Sequence, residues 1–227
     1  VEPFLYQLFM DPAFLDLPVG RRLRRWLASA GARLRAGTLR RRFEMIGGES
    51  PLLALAHEQA DALESHLNAV YGAAVGAQFR TYPAMRYSAP FPEEAAERME
   101  ADGVDKVVLF PSFPQYSAAT TGSALAYWGA LRAAGERPSW PTTAVPEYAA
   151  HPKFIQSVSE RIDEALQRFP EDVQDRAVLV FSAQGTAWRS RADTTDPYCC
   201  QVYSTVQQVL RYREEARSAY TAFHPPN

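Results

Sequence analysis

Apolar residues follow two different patterns that take turns along this chain, and each pattern predicts one kind of secondary structure. Short apolar runs predict buried strands, and the clearest run covers residues 107–110, which Pro111 ends. Apolar residues three or four positions apart predict helices with one buried side. The predicted strands are 77–82, 106–110, 141–147, 177–182 and 219–223, and the predicted helices are 1–9, 21–42, 51–71, 92–102, 123–134, 152–168 and 197–216. Strands that alternate with helices predict an α/β fold in which helices flank parallel sheets.

A break in this alternation near residues 145–151 predicts a boundary between two lobes. We expect an N-terminal α/β lobe over 1–147 and part of a second α/β lobe over 148–227. The chain begins at Val1 inside a predicted helix and stops at Asn227 soon after a predicted strand. We therefore expect the sequence to be cut at both ends and the second lobe to be incomplete.

Composition narrows the classes of function. The 227 residues carry a formal net charge of −2, which argues against nucleic-acid binding, and no apolar stretch is long enough to span a bilayer. Because no charged and then apolar leader opens the chain, we expect a cytoplasmic protein. Its two cysteines, Cys199 and Cys200, are adjacent, so we expect reduced thiols and no iron–sulfur cluster.

The segment that begins with Arg21 and ends with Arg42 holds nine arginines and no acidic residue. Apolar residues at helical spacing predict one apolar side opposite a cationic side. These residues are Leu23, Trp26, Leu27, Ala30 and Leu34. A solvated helix face is one interpretation. The other is a cationic surface that meets an anionic ligand or the inner face of a membrane, and the sequence leaves both open.

The loop after the strand at 106–110 is the first candidate site, and it leads into the helix at 123–134. Its hydroxyl-bearing residues are Tyr116, Ser117, Thr120, Thr121 and Ser123. Loops at the carboxyl ends of strands in open α/β sheets are common ligand sites. A helix N-terminus that Ser and Thr cap without any ligand is the alternative.

A second strand ends near Gln184 and is the other candidate site. The apolar run at 177–182 leads through Ala183 and Gln184 to a glycine. A glutamine amide has no basic nitrogen that could accept a proton at neutral pH. Its carbonyl oxygen can bind a cation, although it binds ferrous iron more weakly than imidazole does.

No other segment carries a recognisable catalytic pattern. Of the four histidines, His57 and His66 share one predicted helix at a spacing that does not suit a metal site, His151 begins a helix, and His224 lies in the tail. We expect all four to be structural or simply exposed. A hydrolase or reductase would need an activated nucleophile or a dinucleotide-binding glycine loop, and the chain has neither motif.

Several motifs together resemble those of the bacterial-type ferrochelatases, which insert ferrous iron into a porphyrin. The motifs are Ile46-Gly47-Gly48-Glu49-Ser50-Pro51-Leu52, Met85-Arg86-Tyr87, Pro-Gln-Tyr-Ser-x-x-Thr-Thr-Gly-Ser over 114–123, and Phe-Ser-Ala-Gln over 181–184, with Asp196-Pro197-Tyr198, Gln201 and Thr205 downstream. The resemblance covers nearly the whole chain. It implies two Rossmann-like, chelatase-type lobes with a cleft between them, and it implies porphyrin and ferrous iron as substrates rather than as permanently bound cofactors.

The resemblance also implies which residues act. Residues at porphyrin-contacting or cleft-lining positions are Arg35, Phe43, Ser50, Arg86, Tyr87, Tyr116, Ser117 and Thr121. Where ferrochelatases have a histidine that is regarded as the metal ligand and proton acceptor, this chain has Gln184. A tyrosine is common in the family where Phe43 stands here, and the family's catalytic glutamate belongs to a segment that follows the position of Phe223.

Two hypotheses about function remain open. In the first, the protein is a ferrochelatase in which Gln184 occupies the position of the metal ligand. In the second, it is a relative or a truncated product that binds tetrapyrroles without catalysis. The second hypothesis arises because a base near the ring centre must remove two pyrrole protons, and loss of a general base lowers rates by about 10²–10⁴-fold.

Overall fold

The structure is a computed structural model that describes residues 1–15, 17–135, 140–185 and 196–224. The helices in these ranges are α1 (Glu2–Met10), α2 (Arg21–Glu44), α3 (Leu52–Leu67), α4 (Ala73–Val75), α5 (Pro92–Ala101), α6 (Ser123–Ala133), α7 (Pro152–Leu166), α8 (Glu171–Gln174) and α9 (Tyr198–Arg213), with π-helical turns at Asn68–Gly72 and Ala118–Gly122. The strands are β1 (Val107–Leu109), β2 (Thr142–Ala144), β3 (Leu179–Gln184) and β4 (Ala219–His224). This mixture of helices and strands confirms the predicted α/β class.

The chain forms two compact units, each built from two stretches of sequence. The first unit contains Val1–Val107 and Tyr127–Pro141, and the second contains Val108–Ala126 and Thr142–Asn227. Each unit joins two separate stretches of the chain, so the units do not test a single boundary between residues 147 and 148. That lobe boundary stays a prediction. Within the described residues, none of the helices combines the length and the apolarity needed to cross a membrane.

In the first unit, α2 packs against α1 through a stripe of small residues. The buried residues of α2 are Arg24, Ala28, Ala32 and Ala36, which recur every four positions. Two of these alanines form a core with Leu5 of α1, because small side chains let two helices approach closely. The predicted apolar side of this helix lies away from the contact with α1 and is exposed. On this apolar side, the exposed fractions of the residues are 49% for Leu23, 66% for Trp26 and 82% for Leu34.

Residues 77–82, all of which the structure describes, do not form the predicted strand. Their backbone groups bond instead to side chains of α3 and of the turn after it. Phe79 exchanges two hydrogen bonds with the Asn68 side chain, both at 2.8 Å, and the Thr81 N–H donates to Glu64 Oε2 at 2.6 Å. These side chains occupy backbone groups that a neighbouring strand would need, so the strand prediction is wrong here.

β1 and β2 form a small two-stranded sheet. The Val107 N–H donates to the Pro141 carbonyl at 2.9 Å, and further along both strands the Val145 N–H donates to the Leu109 carbonyl at 2.9 Å. The hydrogen bonds advance in the same order along both strands, so the strands run parallel, as the alternation of elements predicts. The first candidate loop follows directly after β1.

In the second unit, β3 and β4 form a parallel pair whose register runs from Leu179 with Ala219 to Gln184 with His224. Side chains alternate between half-buried and exposed along both strands. β3 therefore reaches two residues beyond the predicted strand and ends at Gln184 itself. β4 likewise includes His224, which corrects the expectation that this histidine lies in the tail.

Candidate active site

One carboxylate holds the loop that follows β1. Asp196 Oδ2 accepts hydrogen bonds from the Ser117 hydroxyl at 3.2 Å and from the Ala118 N–H at 3.0 Å. Its Oδ1 accepts the Tyr198 N–H at 3.0 Å, at the start of α9. Asp196 thus joins the N-termini of two helical segments, where a negative charge is favourable.

Ser117 and Thr121 of this loop are enclosed by the protein, with exposed fractions of 2% and 0%. Ser117 Oγ also accepts the Ala119 N–H at 3.3 Å, so this serine caps the helical turn that follows it. Thr121 Oγ1 is buried and has no hydrogen-bond partner within the described part of the chain. The roles of Ser117 and Thr121 as porphyrin contacts stay predictions.

Gln115 and Tyr116 are anchored to α9. The Tyr116 N–H donates to Gln201 Oε1 at 2.6 Å, and Gln115 Nε2 donates to Thr205 Oγ1 at 3.0 Å. The Tyr116 hydroxyl lies so close to Gly122 that a Cβ at that position would come within 2.9 Å of it. A side chain at position 122 would therefore displace the Tyr116 hydroxyl, and the motif as a whole shapes the loop against α9.

Gln184 lines a cavity in the same unit. The cavity has a volume of about 520 Å³, and its walls are β3, α7, α9 and Gln115. Of the first candidate loop, Gln115 reaches this cavity, whereas the predicted contacts Tyr116, Ser117 and Thr121 are not among the residues that line it. The Gln184 side chain lies on the exposed face of β3.

Tyr198 lines this cavity as well, and its hydroxyl is protected from ionisation. Burial raises the pKa of Tyr198 above its ordinary value of 10.0, and electrostatic interactions with Cys199 and Asp196 raise it further. A hydrogen bond from the Gln184 backbone N–H has the opposite, smaller effect on that pKa. The hydroxyl therefore stays protonated at neutral pH and keeps its capacity to donate a hydrogen bond.

In the first unit, Arg86 and Tyr87 meet a buried carboxylate. The Tyr87 hydroxyl donates to Asp11 Oδ2 at 2.8 Å, and Arg86 Nη2 lies 3.2 Å from the same oxygen. The Asp11 side chain is 4% exposed, and its Oδ1 accepts the Ala13 N–H at 2.8 Å. The Arg86 guanidinium also lies 4.0 Å from the centroid of the Tyr127 ring, a cation–π contact. Asp11 and Tyr127 thus hold both predicted porphyrin-contacting residues.

The remaining predicted contacts lie on α2 and in the turn after it. Arg35 and Ser50 are exposed and Phe43 is half-buried. The Phe43 carbonyl accepts the N–H groups of Ile46 and Gly48, at 2.9 and 2.8 Å. Ser50 Oγ accepts the N–H of Leu52, the first residue of α3, at 3.3 Å. The porphyrin contacts of Arg35, Phe43 and Ser50 stay predictions.

No group of three or more His, Cys, Asp or Glu side chains that could hold a metal ion occurs within the described residues. The metal role of Gln184 therefore stays a prediction. Asp11 is not among the residues predicted from the sequence, and Asp196 and Gln201 enter that prediction only as part of a motif. A sequence signal for Asp11 is its place in an Asp-Pro pair directly after a helix, which also suits an ordinary turn.

Known proteins similar to this chain are ferrochelatases. A family model described as Ferrochelatase matches residues 1–224. A ferrochelatase of Gloeobacter violaceus is 36% identical and one of Cyanothece is 34% identical, each over 93% of this chain. A mitochondrial ferrochelatase of Xenopus laevis is 32% identical over 92% of this chain. The chain spans 62%, 53% and 50% of the lengths of these three curated relatives, respectively.

Proposed function

The chain belongs to the ferrochelatase family, and from this premise we propose that it acts as a ferrochelatase, a lyase of haem biosynthesis. The reaction inserts ferrous iron into a porphyrin, protoporphyrin IX or coproporphyrin III, and releases two pyrrole protons. Iron and porphyrin are substrates, and the proposal includes no permanently bound cofactor. The observation that carries this proposal is the family match over residues 1–224.

The proposed fold comprises two Rossmann-like lobes, 1–147 and 148–227. Parallel strands, and candidate loops at the carboxyl ends of β1 and β3, support this arrangement. The proposed porphyrin contacts are Arg35, Phe43, Ser50, Arg86, Tyr87, Tyr116, Ser117 and Thr121. Arg86 suits a propionate group, since a guanidinium can bind a carboxylate through two parallel hydrogen bonds.

Gln184 favours a second candidate function, a relative that binds tetrapyrroles without inserting metal. Its amide cannot accept a pyrrole proton. In this second candidate the loops bind the macrocycle, and Gln184 supplies neither a basic nitrogen nor a strong ligand for ferrous iron.

One pair of measurements separates the two candidates. Porphyrin binding is followed by absorbance, and insertion of zinc into the same porphyrin is followed by fluorescence, on the protein as it is encoded. We expect binding of micromolar affinity together with steady zinc insertion. Binding without insertion supports the non-catalytic relative, and a failure to bind either porphyrin contradicts both candidates.

We place the protein in the cytoplasm with peripheral contact to the inner face of the membrane through residues 21–42. Leu23, Trp26 and Leu34 are exposed on α2, and arginines flank them along the helix. A helix that exposes apolar and cationic side chains together binds anionic lipid surfaces. This arrangement favours the membrane-facing interpretation of the arginine-rich segment over a merely solvated face.

A vesicle assay tests this contact. The variant Trp26→Ser is expected to lower the partition coefficient onto phosphatidylglycerol vesicles by about tenfold, because one large apolar side chain no longer enters the lipid interface. Cosedimentation measures the bound fraction. Leu63→Ser, which removes a half-exposed leucine from α3, is the matched control and should bind like the wild type. Equal binding to phosphatidylglycerol and phosphatidylcholine vesicles would contradict the proposal.

A further inference from the structure

The pairing of β3 with β4 places a histidine beside Gln184. The register aligns Gln184 with His224, the last residues of the two strands. Both side chains lie on the exposed face of the sheet, since register partners in a parallel pair point to the same side. Neighbouring strands lie about 4.8 Å apart, so the two side chains start one strand spacing from each other.

The backbone around this pair fixes the register. The Gly185 N–H donates to the His224 carbonyl at 2.7 Å, so hydrogen bonding continues beyond the Gln184 position. At the other end of the pair, the Leu179 N–H donates to the Ser218 carbonyl at 3.0 Å. His224 is therefore held against the end of β3, at the carboxyl edge where open α/β sheets bind ligands.

The other histidines of the chain have different surroundings. His57 and His66 lie on α3, in the first unit. His151 precedes α7, and its Nδ1 accepts the Lys153 N–H at 3.3 Å, which caps that helix. His224 is thus the imidazole that shares a strand edge with Gln184.

We propose that His224 supplies the imidazole for metal insertion that Gln184 lacks. This inference rests on the proposed ferrochelatase function. A histidine nitrogen can bind a divalent first-row ion and can also accept a proton, and an amide cannot do both. His224 lies one strand spacing from Gln184, on the same face of the sheet. His224 is therefore a catalytic residue of this chain.

The step balances without any oxidant or reductant. The divalent ion binds the unprotonated His224 nitrogen and then passes to the pyrrole nitrogens. As each metal–nitrogen bond forms, the N–H bond of one pyrrole breaks, and the proton moves to the His224 nitrogen that the ion has left. His224 releases that proton to water before it accepts the second. The metal keeps its charge of two, and two protons leave.

The variant His224→Gln tests this role. We expect it to lower the rate of zinc insertion by about 100-fold, the usual loss when a general base is removed, while porphyrin affinity by absorbance stays unchanged. Zinc affinity without porphyrin, measured by calorimetry, should fall as well, because an amide oxygen binds zinc more weakly than an imidazole nitrogen does. His57→Gln, which replaces an exposed histidine on α3, is the matched control and should behave like the wild type.

A double variant adds a readout that a structural role would not move. Gln184→His with His224→Gln exchanges the two side chains across the strand pair and should recover much of the insertion rate lost in His224→Gln. If His224→Gln inserts zinc and binds zinc like the wild type, the inference is overturned while the ferrochelatase function stands. If the wild type inserts no metal, the ferrochelatase function fails, and the calorimetric comparison still decides whether His224 binds the ion.

Discussion

Replacement of Asp11 by alanine is expected to lower the free energy of unfolding by about 3 kcal/mol. The carboxylate is 4% exposed and lies within hydrogen-bonding distance of the Tyr87 hydroxyl and the Arg86 guanidinium. Its loss leaves a half-buried guanidinium and a tyrosine hydroxyl without this acceptor. The free-energy cost of a buried donor that loses its acceptor exceeds the net stabilisation that the hydrogen bond provided. Urea unfolding followed by circular dichroism measures this change. We expect the urea concentration at the midpoint to fall, while the dependence of the unfolding free energy on urea concentration stays the same.

Two further variants distinguish the role of the buried Asp11 carboxylate from the general effect of removing a carboxylate. Asp11→Asn has the same shape and keeps one of the two acceptor oxygens, but it removes the charge and the second acceptor, so its loss of stability should be smaller than that of alanine. Glu58→Ala removes an exposed carboxylate from α3 and should change the unfolding free energy by about 0.5 kcal/mol or less. If Asp11→Ala were as mild as Glu58→Ala, the carboxylate would not hold Arg86 and Tyr87 in place.

Replacement of Glu215 by alanine is expected to cost about 4 kcal/mol, the largest loss of stability among the variants considered. The Glu215 side chain is 2% exposed, and its two oxygens accept hydrogen bonds from Arg213 Nε at 3.1 Å and from Arg217 Nη1 at 2.8 Å. Arg213 also binds Ser159 and Asp163 on α7. Glu215 therefore neutralises two arginines at the turn between α9 and β4, and thermal or urea unfolding measures its loss.

The contribution of Glu215 to the free energy of unfolding should decrease as the pH falls. Burial alone would raise the pKa of Glu215, but hydrogen bonds from the Arg217 backbone and from the Arg217 and Arg213 side chains outweigh it and lower the pKa below 4.5. Since the folded state binds this proton less readily than the unfolded chain, the stabilisation is complete above the ordinary pKa and is lost as the pH falls below it. The stability difference between the wild type and Glu215→Gln should therefore shrink in acid.

Glu171→Ala is the control for this pH series, because Glu171 is an exposed acidic residue of α8 in the same unit. Its stability difference from the wild type should stay small at every pH. A difference for Glu215→Gln that is constant between neutral pH and acid would contradict the role given to the arginine contacts.

Local signals in the sequence predicted much of the candidate site. The hydroxyl-rich loop lies after β1, and Gln184 lies at the end of β3, because short apolar runs and glycines mark strand ends within a few residues. The sequence did not determine which side of α2 is buried, since leucines and alanines both recur at helical spacing. Only the contact with α1 decides between the two sides, and it selects the alanines.

The strand expected at 77–82 failed for a related reason. Its alternation is a local pattern, but a strand needs a partner, and here Asn68 and Glu64 bind the backbone instead. Strand propensity describes how residues fit a sheet surface and not whether a sheet is present.

The sequence by itself determined the α/β class, the family and the positions of the motifs, because each depends on residues that are near one another along the chain. Only the tertiary structure decided that Asp11 contacts Arg86 and Tyr87, and that Gln184 lies beside His224. The residues in each of these pairs are far apart along the chain. The register of a strand pair, or the packing of a loop on a helix, determines which of them become neighbours. No local pattern of residues specifies these choices.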